Sequence, residues 1–126
     1  MTLISRLVFF KDEKKTEKKS SERITKNEIS IVIPVKDNQK GIDNYLTKFF
    51  ETHSKTDFPK EIIIVDNNSS PAIELKSEYL NFGLPIKLIL CQKIGPASAR
   101  NKGAKVAKGK WLLFHDSDCI PTKSIL

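Results

Sequence analysis

The chain predicts an α/β fold built on a mostly parallel sheet flanked by helices. Three observations carry that prediction. Four apolar runs, at 29–35, 61–66, 86–90 and 111–114, have strand length and are rich in β-branched or aromatic residues. The first two are nearly continuous in apolar residues, as strands buried on both faces are. The stretches between the runs are long enough for crossovers, and at least two carry helical patterning. Strands spaced this way are joined by right-handed βαβ connections. With 126 residues the chain has room for one domain with one core.

The first strand, Ile29-Ser30-Ile31-Val32-Ile33-Pro34-Val35, ends near Pro34, which cannot donate to a ladder. A polar loop, Lys36 to Gly41, comes next. Ile42, Tyr45, Leu46, Phe49 and Phe50 then recur at spacings of three, one, three and one, the apolar stripe of an amphipathic helix. Phe58-Pro59-Lys60 is a turn. The second strand, Glu61 to Asp66, ends in an acid before the loop Asn67-Asn68-Ser69-Ser70-Pro71. A short helix is expected over 72–81, broken by Gly83 and Pro85. The third strand is Ile86 to Leu90. Gly95-Pro96 opens a second helix, with Pro at its first position, and Lys108-Gly109 stops it. The fourth strand-like run, Trp111-Leu112-Leu113-Phe114-His115-Asp116-Ser117-Asp118, stops on two carboxylates, and residues 120–126 read as the start of another helix.

Residues 1–28 read as a basic extension or linker ahead of the domain at 29–126. The opening Met1 to Phe10 is apolar but too short to span a membrane and lacks a small-residue cleavage site. It is expected to be a helix packed on the domain or on a membrane surface. Lys11 to Asn27 reads as a solvated helix or linker. The formal net charge is +7, spread along the chain: eight Lys/Arg stand against five Asp/Glu in residues 1–28, and fourteen against ten in the rest. That suits a polyphosphate ligand or an anionic surface. Lysines interleaved with acids, without an aromatic-basic pattern, argue against nucleic acid. Cys91 and Cys119 lack metal-type spacing and read as free thiols of a reducing, cytoplasmic compartment, with peripheral contact to the inner face of the membrane as an option.

In a parallel sheet, ligands bind beyond the carboxyl ends of the strands. Asp37 comes after the first strand, Asp66 ends the second, and Asp116 and Asp118 end the fourth. At i and i+2 of an extended backbone the last two side chains would leave one face, where a hard divalent cation would relieve their repulsion. A helix starting at Gly95-Pro96 offers free N–H groups, and Arg100 lies about one turn in. Its guanidinium suits phosphate oxygens; the alternative is a pair with a rim aspartate, and the two roles can coexist. His115 reads as a packing residue at the strand end. Metal, arginine and helix start together describe a pyrophosphate site, with Asp66 and the Pro34–Asp37 loop near a base or ribose. Neither G-x-G-x-x-G after the first strand nor a P-loop motif is present.

Four blocks, Ile31-Val32-Ile33-Pro34-Val35, Ile63-Ile64-Val65-Asp66-Asn67-Asn68-Ser69, Gly95-Pro96-Ala97-Ser98-Ala99-Arg100-Asn101-Lys102-Gly103 and Leu113-Phe114-His115-Asp116-Ser117-Asp118, taken in this order, resemble family 2 glycosyltransferases of the GT-A fold. The resemblance runs from about Ile29 to Leu126. It implies a Rossmann-like donor domain that binds a UDP- or GDP-linked sugar, and transfer with inversion to a saccharide or lipid-linked hydroxyl acceptor, as in cell-envelope polysaccharide synthesis. It implies Pro34, Val35 and Asp37 along the nucleoside, Asp66 at the base and Arg100 near the nucleotide. Asp116 and Ser117 would face ribose and diphosphate, and Asp118, with Asp116, would hold Mg²⁺ or Mn²⁺. The family often has Tyr-Asn-Glu after the first strand, whereas this chain has Lys36-Asp37-Asn38. The family's acceptor site and catalytic base lie beyond the metal motif. The chain stops eight residues after Asp118, so it reads as a donor-binding half, with self-association expected through surfaces the other half would cover. The alternatives are a metal-dependent nucleotidyltransferase and a non-catalytic nucleotide-binding remnant.

Overall fold

The computed structural model describes residues 7–10, as backbone, and 25–122. Five strands form one sheet in the order β1-β5-β2-β3-β4, with β1 at Leu7–Phe10, β2 at Ile29–Val35, β3 at Glu61–Asp66, β4 at Ile86–Leu90 and β5 at Trp111–Phe114. β2 to β5 run parallel, and β1 pairs antiparallel with β5. From β2 the chain steps outward to β3 and β4, then returns across β2 to place β5 on its other side. The strand order therefore reverses between β2 and β5, where open α/β sheets form their ligand crevice.

Side-chain alternation divides the sheet between two cores. Ile31, Ile33, Ile62, Ile64 and Leu113 face α1 (Gln39–Thr52), which buries Ile42, Tyr45, Leu46 and Phe49 against them. Val32, Ile63, Val65 and Leu112 face α2 (Pro96–Val106), which buries Ala99 and Gly103. The expected stripe and the expected small-residue helix thus cover opposite faces. Gly103 sits so close to the sheet that a methyl group there would run into Val32 and come within 3.1 Å of Val65.

At the amino ends of the strands the sheet is tied by a buried carboxylate. Glu61 accepts from the Ser30 hydroxyl at 2.6 Å and from the Lys108 N–H at 2.6 Å, and it pairs with Lys87 at 2.9 Å. Burial works to raise its pKa, but the Lys108 N–H, the Ser30 hydroxyl and the Lys87 ammonium outweigh it and hold the carboxyl below its ordinary value.

Three sequence expectations need correction. Leu7–Phe10 is a strand on the edge of β5, not a helix lying on the domain or a membrane. Four apolar residues suffice to pair an otherwise open strand edge, and they are too few for a stable amphipathic helix. Residues 72–76 are not helical, and only Ser77–Asn81 forms a short 3-10 turn. Side chains take the backbone groups that a helix would need: Asp66 accepts the Ile73 N–H, and the Gln39 amide bonds both the N–H and the carbonyl of Glu74. Gly109 does not cap α2, which ends at Val106 with Ala107 in extended conformation. Its role is close approach: the Gly109 N–H donates to Ser30 Oγ, and a methyl group would strike Ser30 and the Glu28 carbonyl.

Ile120 to Thr122 are not helical, and the rest of the helix expected at 120–126 lies outside the described residues, as do residues 1–6 and 11–24. Among the described residues no helix is long and apolar enough to cross a membrane.

Candidate functional site

The carboxyl ends of β2, β3 and β5 meet the start of α2 around a cleft of about 280 Å³. Its lining comes from Pro34, Val35 and Lys36, at and after the end of β2, from Asn67 after β3, from Ile94, Gly95, Pro96 and Ala99 at the entry and first turn of α2, and from Asp116 and Ser117 after β5. β5 stops pairing at Val32↔Phe114, so the last residues of β2 extend past it and the chain after Phe114 turns in beside them.

Asp116 and Asp118 do not lie on a strand, as their spacing suggested. They sit in a turn closed by a 3.0 Å hydrogen bond from the Cys119 N–H to the Asp116 carbonyl. The turn still brings the carboxylates together: ligand atoms of Asp116, Asp118 and the buried Cys119 lie within 4.8 Å of one another. Two carboxylates gathered in one turn are the oxygen donors that could hold a divalent cation such as Mg²⁺ or Mn²⁺.

The start of α1 holds this turn. Asn38 caps the helix by accepting the Gly41 N–H at 3.0 Å, and its amide donates to Ser117 Oγ at 3.1 Å. A side chain at Gly41 would collide with Asn38 and the Ser117 carbonyl. Beneath the turn, His115 is buried and its Nδ1 lies 2.6 Å from the Tyr45 hydroxyl, so it packs at the strand end as expected. Burial, with Cys119 nearby, raises the Tyr45 pKa, so the phenol stays protonated.

Arg100 points its guanidinium at Asp116, 3.6 Å away, with both side chains substantially exposed. Asp66 is 1% exposed, and its two oxygens accept the Ser69 N–H at 2.9 Å and the Ile73 N–H at 3.0 Å. Burial alone would raise its pKa, but the bonds from Ser69 and Ile73 prevail and hold it low. Asp37, at φ 52°, bonds the same loop through Ser69 Oγ and the Ser70 N–H. Asp37 and Asp66 therefore organise the loop after β3, while Pro34, Val35, Asp116 and Ser117 line the cleft.

Residues 30–126 match the family described as Glycosyl transferase family 2. The chain belongs to that family. Within family 2, it is 30% identical over 102 residues to the poly(ribitol-phosphate) beta-N-acetylglucosaminyltransferase TarS of Staphylococcus aureus, covering 77% of this chain and 17% of that protein. It is 35% identical over 96 residues to a poly(ribitol-phosphate) beta-glucosyltransferase of Bacillus spizizenii, covering 71% of this chain and 14% of that one. The solved structure of S. aureus TarS 1–349 in complex with UDP superposes at TM-score 0.61 with 28% identity, over 76% of this chain and 29% of that one. A Pyrobaculum calidifontis mannosyltransferase in complex with GDP-Man and Mn²⁺ shares the fold at TM-score 0.58 and 21% identity, again over 76% of this chain and 29% of that one. This family 2 chain thus spans less than a third of the length of these relatives, and its fold is the GT-A fold.

Three residues of the site were not singled out from the sequence. Asn38 and Asn67 stood in polar loops, and Ile94 lies between the third strand and the helix that Gly95-Pro96 opens. The one available signal was the asparagine directly after each of two strand-end aspartates, Asp37 and Asp66, a residue type that often bonds neighbouring backbone.

Proposed function

We propose that this chain binds the nucleotide-diphosphate portion of a sugar donor, as the donor part of an inverting, divalent-metal-dependent glycosyltransferase. The observation that carries the reading is the cleft at the strand-order reversal, with Asp116 and Ser117 in its lining, Asp118 in the same turn and Arg100 beside Asp116. The apolar lining from Pro34, Val35, Ile94, Pro96 and Ala99 suits a nucleoside, and the Asp116 turn with Arg100 beside it suits a metal-bound diphosphate. UDP is favoured over GDP, because a relative at 28% identity is solved in complex with UDP.

Asp118, joined by Asp116, would hold Mg²⁺ or Mn²⁺, and the ion would offset the charge that grows on the diphosphate as it leaves. Arg100 adds a fixed positive charge beside Asp116. Asp37 and Asp66 shape the loop after β3. The base that takes the proton of the acceptor hydroxyl is assigned to none of the described residues. The acceptor class proposed is a phosphate-bearing polyol or saccharide chain. The names of the two relatives and the +7 net charge of this chain both support a polyanionic acceptor.

Calorimetric titration with UDP and GDP, each with and without Mn²⁺, tests the donor reading. UDP is expected to bind, more tightly with Mn²⁺, and Asp118→Ala is expected to lose the Mn²⁺-dependent gain. Absence of nucleotide binding under every condition would overturn the reading.

A further inference from the structure

Among the described residues, Ile94 is the most exposed large apolar side chain, at 75%. It is not on a loose loop tip. Asn67, itself only 4% exposed, grips the backbone on both sides of it: its Nδ2 donates to the Lys93 carbonyl at 2.8 Å, and its Oδ1 accepts the Gly95 N–H at 2.8 Å. A third bond, from Nδ2 to the Cys91 carbonyl at 3.0 Å, anchors the loop to the end of β4. Gly95 then turns the chain into α2 at φ 123°, a conformation closed to most other residues. One buried amide thus fixes the backbone on both sides of an isoleucine that water still reaches. Ile94 lines the same cleft as Pro34 and Val35.

Keeping an apolar side chain in water gains nothing for the free protein, whereas a flat ligand entering the cleft would cover it. We infer that Ile94 is a nucleoside-binding residue, packing on the base or ribose in the cleft it shares with Pro34 and Val35, and that Asn67 positions it. The inference rests on the donor reading proposed above and adds to it an apolar nucleoside contact. Because the contact is apolar, it should act on the nucleoside and be indifferent to the number of phosphates.

The test compares UDP and UMP binding by calorimetry in the wild-type chain, Ile94→Ala, Ile94→Leu, Asn67→Ala and the Ile94→Ala/Asn67→Ala double variant, with a thermal melt of each. Should the wild-type chain take GDP, the guanine pair replaces the uracil pair. Ile94→Ala is expected to weaken both nucleotides by the same factor, about tenfold, with an unchanged melting temperature. Ile94→Leu is expected to restore most of that loss. In the Asn67→Ala background, Ile94→Ala is expected to cost clearly less, because the backbone around it is no longer held in place. Wild-type binding left unchanged by Ile94→Ala would overturn the inference while leaving the donor reading intact. An equal Ile94→Ala effect in both backgrounds would remove the positioning role of Asn67. No nucleotide binding by the wild-type chain would overturn the donor reading, and this inference with it.

Discussion

The Arg100 guanidinium stands 3.6 Å from the Asp116 carboxylate, joining the first turns of α2 to the turn after β5. Both side chains are substantially exposed, so the pair adds little to stability, on the order of 0–1 kcal/mol. Its interest is electrostatic: a diphosphate entering here meets a cation already oriented by a carboxylate. Arg100→Gln is therefore expected to move the melting temperature by only a few degrees, at about 4–8 °C per kcal/mol for a domain near this size. The same change should weaken UDP by about tenfold or more and UMP by less, because the second phosphate carries additional charge. Calorimetry on the two nucleotides, with a parallel melt, checks both halves. A large fall in melting temperature with unchanged UDP affinity would make Arg100 a structural tie only.

Asp66 bears on what a conspicuous acid at a strand end does. Both of its oxygens are committed to backbone N–H groups of the loop after β3, and it is almost wholly buried. Asp66→Ala would leave the Ser69 and Ile73 N–H groups without those partners, at about 1–3 kcal/mol for each buried orphan. Asp66→Asn would present an NH₂ to one of the two donors and keep only one bond. Both variants are expected to melt earlier, Ala by more than Asn, in urea or thermal unfolding. If both unfold like wild type and only nucleotide affinity falls, the carboxylate serves the ligand and not the loop.

The sheet was legible because burial on both faces writes itself as continuous apolar runs: Ile31 to Ile33 and Ile62 to Val65 admit almost no other reading. α1 was legible from the spacing of Ile42, Tyr45, Leu46 and Phe49. What escaped was structure set by side chain to backbone bonds. The Asp66 and Gln39 bonds to residues 73–74 override a weak helical pattern, and nothing in residues 72–81 reveals them. The Leu7–Phe10 strand exists through its pairing with β5, a partner about a hundred residues away, so its apolar run reads locally as well for a helix. The Asp116–Asp118 pair converges as foreseen, but through a turn, because β5 ends at Phe114 and the Asn38–Ser117 bond holds the turn beyond it. Asn67 and Ile94 matter through tertiary contacts that sequence spacing does not encode.

Gly103 tests how tightly the site depends on the α2–sheet contact. A methyl group there has nowhere to go, since Val32 and Val65 both lie against the position and are themselves buried. Gly103→Ala gains helix propensity of about 1 kcal/mol, but overpacking of this kind costs about 1–3 kcal/mol. The net expectation is a modest loss of stability together with a small outward shift of α2. That shift would carry Arg100 and the Gly95–Pro96 lining with it, so UDP affinity should fall although residue 103 touches no ligand. Gly103→Ala that binds UDP as the wild type does and melts higher would show that the helix has slack against the sheet.

Glu61 gives the fold a definite acid sensitivity. Its folded pKa lies below the ordinary 4.5, because the Lys108 N–H, the Ser30 hydroxyl and the Lys87 ammonium outweigh its burial. A carboxyl depressed on folding contributes stability that is complete above the unfolded value. The contribution is lost as pH falls through the folded value, where protonation removes the ion pair and the charged hydrogen bonds. Glu61→Gln is expected to cost about 2–4 kcal/mol near neutral pH, since it leaves Lys87 without its buried partner and puts an amide donor where an acceptor stood. Denaturant unfolding of both proteins between neutral pH and acid checks this. The stability difference should be flat above about pH 5.5 and should shrink steadily below 4.5, the wild type converging on the variant. Asp66, also held low, makes both proteins acid-labile over a similar range, so the diagnostic quantity is the difference between them and not either curve alone. A difference that stays constant down to low pH would mean that the charge on Glu61 contributes nothing, and that its hydrogen bonds act equally well in the neutral form.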